Sequence, residues 1–204
     1  MITQQHLDKS ISFEEYYKLH ENQVIEKKTS GENQSEALIN YTKLNFSRLK
    51  RVYKTTLPSK EVLETVNCLN EKMIWLVITE TWCGDAAQNI PVFAKVAETN
   101  PAISLRLIFR DENLDIMDNY LTNGGRAIPK LICLDENLKV LGSWGPRPEF
   151  IQTWFNEEKV KPNANMEELK IEMQQKYNHD NGQTTQKELV VLMQKWLKKE
   201  CFSL

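Results

Sequence analysis

The sequence feature that most limits how this chain can fold is the apolar run MIWLVIT at residues 73–79. The run is short, continuous and rich in β-forming residues, which is typical of a strand buried on both faces. Helical spacing precedes the run, and helical and strand patterns alternate after it, so residues 59–158 predict the order α-β-α-β-α-β-β-α. The predicted fold class is therefore α/β.

Local signals place the other elements of this core. Further strands are predicted over residues 103–111, 129–135 and 138–144. A helix is predicted to begin near Gly84, and Pro91 inside it should cause a kink or occupy a position where a backbone hydrogen bond is already lost. Pro148 is expected to open the last helix of the core.

Both ends of the chain predict helices outside this core. Capping-box spacing, which marks a helix start, occurs in three pairs: Ser12 with Glu15, Asn165 with Glu168, and Thr185 with Glu188. We therefore expect an N-terminal helical extension over residues 1–58 and a C-terminal helical extension over residues 159–204. Both should pack with the core of residues 59–158 into one compact domain. The apolar stripes of these helices would pack on the α/β unit or on a partner. A second copy of the chain is one such partner, and the association would give a homodimer.

Composition narrows the possible partners and compartments. The 204 residues carry a formal net charge of −2, which gives no push toward nucleic acid or an anionic membrane. No run of about 18 apolar residues is present, and the N-terminus shows no secretory signal, so no membrane association is expected. The four cysteines are scattered without CxxC spacing, far from the three histidines. A metal site is therefore not expected, and a reducing cytoplasm is the predicted location.

A run of positive charge lies in the N-terminal extension. Between residues 43 and 60 there is no acidic residue, and there are six basic ones: Lys43, Arg48, Lys50, Arg51, Lys54 and Lys60. Such a run can form a patch for an acidic partner or for nucleic acid. More often it is a solvated helix face, and that interpretation is favoured here.

The stretch TETWCGDAA at residues 79–87 places a cysteine directly after the predicted buried strand. Cys83 would lie at a helix N-terminus, where unpaired amides and the helix dipole favour a thiolate and lower the pKa of a cysteine. Asp85 would repel that thiolate by on the order of 1–3 kcal/mol. The direction of the net pKa shift stays open at the level of sequence.

Together these features resemble the thioredoxin superfamily, over about half of the chain. Trp82-Cys83-Gly84 matches the start of the family's W-C-G-P-C motif, and Ile128-Pro129 matches its cis-proline with the preceding residue. Gly142 matches a glycine common in the second hairpin strand. The combination WCGDA, IPKLICLD and WGPRP is similar to a bacterial thioredoxin-like subgroup. The resemblance implies a thioredoxin-like fold with helical N- and C-terminal extensions, and it makes Cys83 the nucleophile.

The departures from the family motif concern the second thiol. Ala86 occupies the place of the resolving cysteine, Asp85 replaces the motif proline, and Val77 replaces a buried acid six residues before the nucleophile. A self-contained dithiol cycle is therefore not expected. Cys68 and Cys133 are expected on a helix and in a strand, so Cys201 near the C-terminus is the sole other cysteine that could swing to the site.

The resulting functional hypothesis is a single-thiol protein in thiol–disulfide exchange or redox homeostasis, with an external protein or small thiol as partner and no cofactor. Peroxiredoxin and cluster-binding glutaredoxin signatures are absent. Trp82, Gly84, Asp85, Ala86, Ile128 and Pro129 would shape the site, and Arg126, Lys130 and Arg147 would stabilise a thiolate or an anion if they converge on it. The alternative hypothesis is a non-catalytic binding or adaptor module that uses the same groove.

Overall fold

The computed structural model describes residues 2–197 and has a mixed five-stranded sheet at its centre. Its strands are β1 (Ile11–Ser12), β2 (Met73–Thr79), β3 (Ile103–Phe109), β4 (Lys130–Asp135) and β5 (Val140–Trp144). The order across the sheet is β1-β3-β2-β4-β5. Strand β2 runs parallel to β3 and antiparallel to β4, while β1 and β5 pair antiparallel at the two edges.

Helices flank this sheet throughout the described part of the chain. They are α1 (Gln4–Lys9), α2 (Phe13–Glu26), α3 (Glu36–Thr55), α4 (Lys60–Asn67), α5 (Gly84–Ala97), α6 (Leu114–Met117), α7 (Glu149–Glu158), α8 (Met166–Asp180) and α9 (Gln183–Leu197). The order from α4 to α7 is the predicted α-β-α-β-α-β-β-α. The predicted α/β fold class is thus confirmed.

Strand β2 lies at the centre of the core, where the opening run placed it. Trp75, Leu76, Val77 and Ile78 are all fully buried. The strand is shielded by neighbours on both edges and by helices on both faces, which explains why it lacks the polar alternation of a half-exposed strand. It delivers the chain at Thr79 to the turn that precedes Cys83.

Helix α5 is buried along most of its length because α3, α9 and the sheet surround it. Eleven of its fourteen residues are buried, including Asp85, Gln88 and Asn89. Pro91 lies within the helix, which continues to Ala97. Burial of these polar side chains requires partners, and most of the partners come from the segment that follows β5.

The N-terminal segment contains more than helices. Ser12 caps α2 with the expected capping box, but α1 and the two-residue strand β1 precede it and were not predicted. Strand β1 pairs with β3 through Ile11 and Ser12. Two residues are too short to give a periodic signal, so this edge strand could not be found from sequence.

The C-terminal segment confirms one predicted cap and contradicts the other. Asn165 caps α8 by accepting from the amides of Glu167 and Glu168. The capping box predicted at Thr185 is wrong because α9 begins at Gln183. Thr185 instead donates to Asn89 Oδ1 (2.9 Å), and Glu188 accepts from the indole of Trp144. Cys201 lies outside the described residues.

Candidate functional site

Cys83 lies at the junction between β2 and α5, as the N-cap residue of that helix. Its amide donates to Glu80 O (3.2 Å), which forms the turn, and its side chain is 8 % exposed. The Sγ–H group donates to the carbonyl of Ile128 at 3.3 Å. The Ile128–Pro129 peptide bond is cis, as predicted. The resting site therefore holds Cys83 as a hydrogen-bonded thiol beside the cis-proline.

The direction of the Cys83 pKa shift, which the sequence left open, is upward. Burial and then the charge of Asp85 raise the pKa of Cys83 to about 12. The backbone amides of Ala86 and Asp85, together with Arg147, act in the opposite direction without prevailing. The helix N-terminus does favour the thiolate, but desolvation outweighs it at this depth.

Asp85 is held by two side chains from distant parts of the chain. Its Oδ2 accepts from Arg147 Nε at 2.8 Å, and its Oδ1 accepts from the Tyr177 hydroxyl at 2.9 Å. Burial raises the pKa of Asp85, while Arg147 and Tyr177 lower it. Because a buried charge is tolerated where it is paired and hydrogen-bonded, this carboxylate fixes the WGPRP loop and α8 against the start of α5.

The hydrogen-bond network continues from Tyr177 into α9. Asn89 Nδ2 donates to the Tyr177 hydroxyl (3.1 Å) and to the carbonyl of Asp85 (2.9 Å). Thr185 donates to Asn89 Oδ1. The polar residues buried on α5 are thus satisfied by Arg147 together with α8 and α9, so the C-terminal segment completes the surroundings of Cys83.

A cavity of about 410 Å³ opens onto Cys83 between α3, α5 and α8. It is lined near the thiol by Trp82, Cys83, Gly84, Asp85 and Arg147. Its apolar wall consists of Leu38, Tyr41, Leu44, Phe155, Ile171 and Met173, and its remaining polar residues are Arg48, Glu167, Lys170 and Gln174. Cys83 is therefore buried, yet it faces a space large enough for a small molecule.

The three basic residues considered as thiolate partners have different positions. Arg147 lines the cavity, pairs with Asp85 and stacks over the Phe155 ring at 4.5 Å. Arg126 is half exposed and binds Asp118 at 2.6 Å and 2.9 Å. Lys130 donates to the carbonyl of Gly145 (3.1 Å) and does not line the cavity. Of the three, the structure brings Arg147 to Cys83.

Comparison with known proteins identifies the family. A family model described as Thioredoxin matches residues 31–170. The chain belongs to the thioredoxin family. Among solved structures, it is similar to a protein of unknown function from Pseudomonas aeruginosa, with 16 % identity, a TM-score of 0.62 and coverage of 95 % of this chain and 98 % of that one.

An HIV epitope scaffold is also similar, with 16 % identity, a TM-score of 0.56 and coverage of 90 % of this chain and 98 % of the scaffold. At this identity both likenesses concern the fold alone. A search of curated proteins gives no match.

Within this thioredoxin-family fold, no second thiol faces Cys83 in residues 2–197. Ala86, at the position of the resolving cysteine, is fully buried. Cys133 is buried in the interior of β4 beside Met73, and Cys68 lies at the end of α4. Over the same residues, no group of three or more His, Cys, Asp or Glu side chains could hold a metal ion. None of the described helices is long and apolar enough to cross a membrane.

Tyr177 and Arg48 are among the site residues that were not predicted from the sequence. Tyr177 has the helical spacing of an apolar stripe with Leu169 and Met173, although its hydroxyl binds Asp85. Arg48 was assigned to a solvated basic face, although it lines the cavity next to Cys83. Tyrosine at a buried helical position signals a polar partner. The contact of Tyr177 with Asp85 and the position of Arg48 in the cavity both depend on how the extensions pack against α5, which the sequence does not show.

Proposed function

We propose that this chain is a one-thiol member of the thioredoxin family that exchanges disulfides through Cys83, with an external thiol completing the cycle. The observation that supports the proposal is the position of Cys83 at the N-terminus of α5, facing the 410 Å³ cavity. A disulfide in this cavity would meet a sulfur whose anionic form is stabilised by the amides of Asp85 and Ala86.

The exchange consists of two balanced steps. Cys83 loses its proton to solvent and attacks one sulfur of a disulfide RS–SR′, which forms Cys83–S–S–R and releases R′S⁻, which takes up a proton. An external thiolate R″S⁻ then attacks the R sulfur, forms RS–SR″ and regenerates Cys83. The protein undergoes no net change, and because no second thiol faces Cys83 in the described residues, the second step requires a thiol from outside.

The carbonyl of Ile128 has a role in this cycle. In the resting site it accepts the hydrogen bond of the Cys83 thiol. Loss of the Cys83 proton removes that bond and leaves the carbonyl available to an extended substrate, which is the role that the family resemblance implies for this residue. Binding of substrate and ionisation of Cys83 would thus favour each other.

Cofactors and location follow from the same proposal. A low-molecular-weight thiol is the expected co-substrate, and the reaction as written needs no other cofactor. Free thiols at Cys83 and Cys133 suit a reducing compartment such as the cytoplasm. Association of two copies through the terminal helices remains part of the proposal, to be tested by light scattering.

The test is the rate of exchange between a small dialkyl disulfide and reduced glutathione, measured from pH 7 to pH 10. The wild-type protein should accelerate the exchange, and acceleration should increase with pH because the pKa of Cys83 lies above this range. Cys83→Ser should abolish the acceleration, whereas Cys133→Ser, which removes a buried thiol away from the cavity, should retain it. Equal acceleration by wild type and Cys83→Ser would contradict the proposal.

A non-catalytic binding module is the second candidate. The observation that favours it is the near-complete burial of Cys83, with the pKa raised to about 12, which leaves little thiolate at neutral pH. In that case the wild-type protein would not accelerate exchange at any pH in the range, yet ligands would still bind in the cavity of the Cys83→Ser variant.

A further inference from the structure

The basic run of the N-terminal extension contributes a cation to the cavity. Arg48 lines the cavity from α3, and its Nη1 donates to Asn45 Oδ1 at 2.7 Å. Asn45 is fully buried and donates in turn to the carbonyl of Trp82 at 2.8 Å. This chain of hydrogen bonds holds the guanidinium beside the turn that carries Cys83. A Cβ atom on Gly84 would lie 3.6 Å from Arg48 Nη1.

The positive charge of Arg48 has no carboxylate partner within ion-pair distance among residues 2–197. The other charges of the cavity are paired: Arg147 with Asp85 at 2.8 Å and Lys170 with Glu167 at 2.6 Å. Burial and then the neighbouring Arg51 lower the pKa of Arg48, while Tyr41 and the charge of Asp85 act in the opposite direction without prevailing. The cavity therefore carries one excess positive charge from its described residues.

A second donor lies beside Arg48. Gln174 Oε1 accepts from Gln88 Nε2 at 2.9 Å, which orients the amide nitrogen of Gln174 toward Gly84, 3.3 Å from the position of a Cβ there. Around these two donors the wall is apolar, and at the mouth Leu44 and Ile171 are 46 % and 62 % exposed. A partly desolvated cation bordered by apolar surface matches a ligand with one anionic group and an apolar body.

We infer that the cavity binds a small apolar molecule bearing a carboxylate, with the carboxylate at Arg48 and Gln174 and the apolar body against Leu44 and Ile171. The volume of about 410 Å³ suits a small molecule. If the cavity also holds the substrate of the proposed exchange reaction, that substrate is a thiol or disulfide that bears a carboxylate and whose sulfur reaches Cys83. This assignment of a substrate class rests on the proposed function.

The binding step is tested without the thiol. Calorimetry on the Cys83→Ser protein compares 2-naphthoate with the uncharged 2-naphthamide, which has the same apolar body. Naphthoate should bind at least about tenfold more tightly, since a charge-assisted hydrogen bond in a partly buried site contributes that much. Arg48→Met should abolish this preference, and Arg48→Lys should restore part of it.

Arg51→Met provides the matched control on the same helix. Arg51 binds Asn178 (2.6 Å), lies 3.5 Å from Gln88 Oε1 and does not line this cavity. Because Gln88 binds Gln174 through its other amide atom, Nε2, the loss of Arg51 should leave the preference for naphthoate intact. The inference is overturned if the Cys83→Ser protein, with Arg48 and Arg51 unchanged, binds the two probes equally or binds neither. It is also overturned if Arg51→Met reduces the preference for naphthoate as much as Arg48→Met does. Because Cys83 is absent from this experiment, such a result would contradict the carboxylate site and not the exchange reaction. Conversely, a failure of the exchange assay would contradict the proposed reaction and not a measured preference for naphthoate.

Discussion

At the scale of single residues, Asp85 sets the electrostatic character of the site. It is the nearest charged group to Cys83 in the helix, and it contributes to the raised pKa of that thiol, second to burial. It also neutralises Arg147, whose charge would otherwise act on Cys83 without opposition. The same carboxylate therefore holds the C-terminal additions in place and adds to the effect of burial, which keeps the thiol protonated.

Replacement of Asp85 by asparagine should lower the pKa of Cys83. The substitution removes a negative charge and releases Arg147, and both changes favour the thiolate, while an amide can still bind the Tyr177 hydroxyl. Alkylation of Cys83 by iodoacetamide at pH 9, followed by site-resolved mass spectrometry, should be faster by roughly threefold to tenfold, since one pKa unit changes the thiolate fraction tenfold.

The control for this measurement is Asp118→Asn. It breaks the exposed ion pair with Arg126 and should leave the alkylation rate of Cys83 unchanged. A Cys83 rate in Asp85→Asn equal to or below that of wild type would contradict the role assigned to Asp85.

At the scale of elements, Gly142 determines how α9 packs on β5. A Cβ atom at this position would lie 2.1 Å from Trp196 Nε1, so the indole occupies the space that any larger residue needs. Gly142→Ala should reduce the free energy of unfolding by about 1–3 kcal/mol, the usual cost of overpacking. Urea denaturation measures it.

Gly125→Ala is the matched variant for this prediction. Its Cβ would lie 3.5 Å from Thr122 O, an ordinary contact, so a change within about 0.5 kcal/mol is expected. Equal unfolding midpoints for Gly142→Ala and wild type would show that Trp196 does not require the glycine.

His20 links α2 to α3 and makes their packing sensitive to pH. Its ring is buried and donates to the carbonyl of Thr42 at 2.9 Å, and burial lowers the pKa of His20 to about 4. In the unfolded chain a histidine has a pKa of about 6.5, so the unfolded state binds the extra proton first. The contribution of His20 to stability is thus complete above pH 6.5 and is lost as the pH falls toward 4.

His20→Gln should therefore flatten the pH dependence of the free energy of unfolding. Between pH 7 and pH 4.5, wild type should lose roughly 2 kcal/mol more than the variant. The exposed His179, replaced in the same way, should leave the wild-type profile unchanged. Parallel profiles for wild type and His20→Gln would contradict the buried neutral state of His20.

At the scale of the whole molecule, the helical additions form part of the site. Helix α3 supplies Arg48 and Asn45, and α8 supplies Gln174 and Tyr177. The family match over residues 31–170 also extends beyond the predicted core at both ends. A cavity at Cys83 exists because these helices surround the start of α5, where a bare α/β core would leave an open groove.

The features that could be predicted from sequence differ from those that depend on the packing of distant segments. Strand β2 and the start of α5 near Gly84 were predicted from local patterns, and the cis-proline was predicted from the family resemblance; the structure contains all three. The Asp85–Tyr177 contact joins residues 92 positions apart, and local spacing carries no information about it. The raised pKa of Cys83 was unpredictable for the same reason, because its main cause is burial by segments distant in the chain.

The most direct test of the one-thiol assignment is the fate of the mixed disulfide. Wild-type protein is treated with glutathione disulfide at pH 9, freed of excess reagent and followed by intact-mass and peptide mass spectrometry. We expect a glutathione adduct on Cys83, identified by the peptide masses, that persists until an external thiol is added. The variant Ala86→Cys, which restores an internal resolving thiol, should release the adduct unaided. Absence of an adduct on Cys83, or its spontaneous release by the wild-type protein with formation of an internal disulfide, would contradict the assignment.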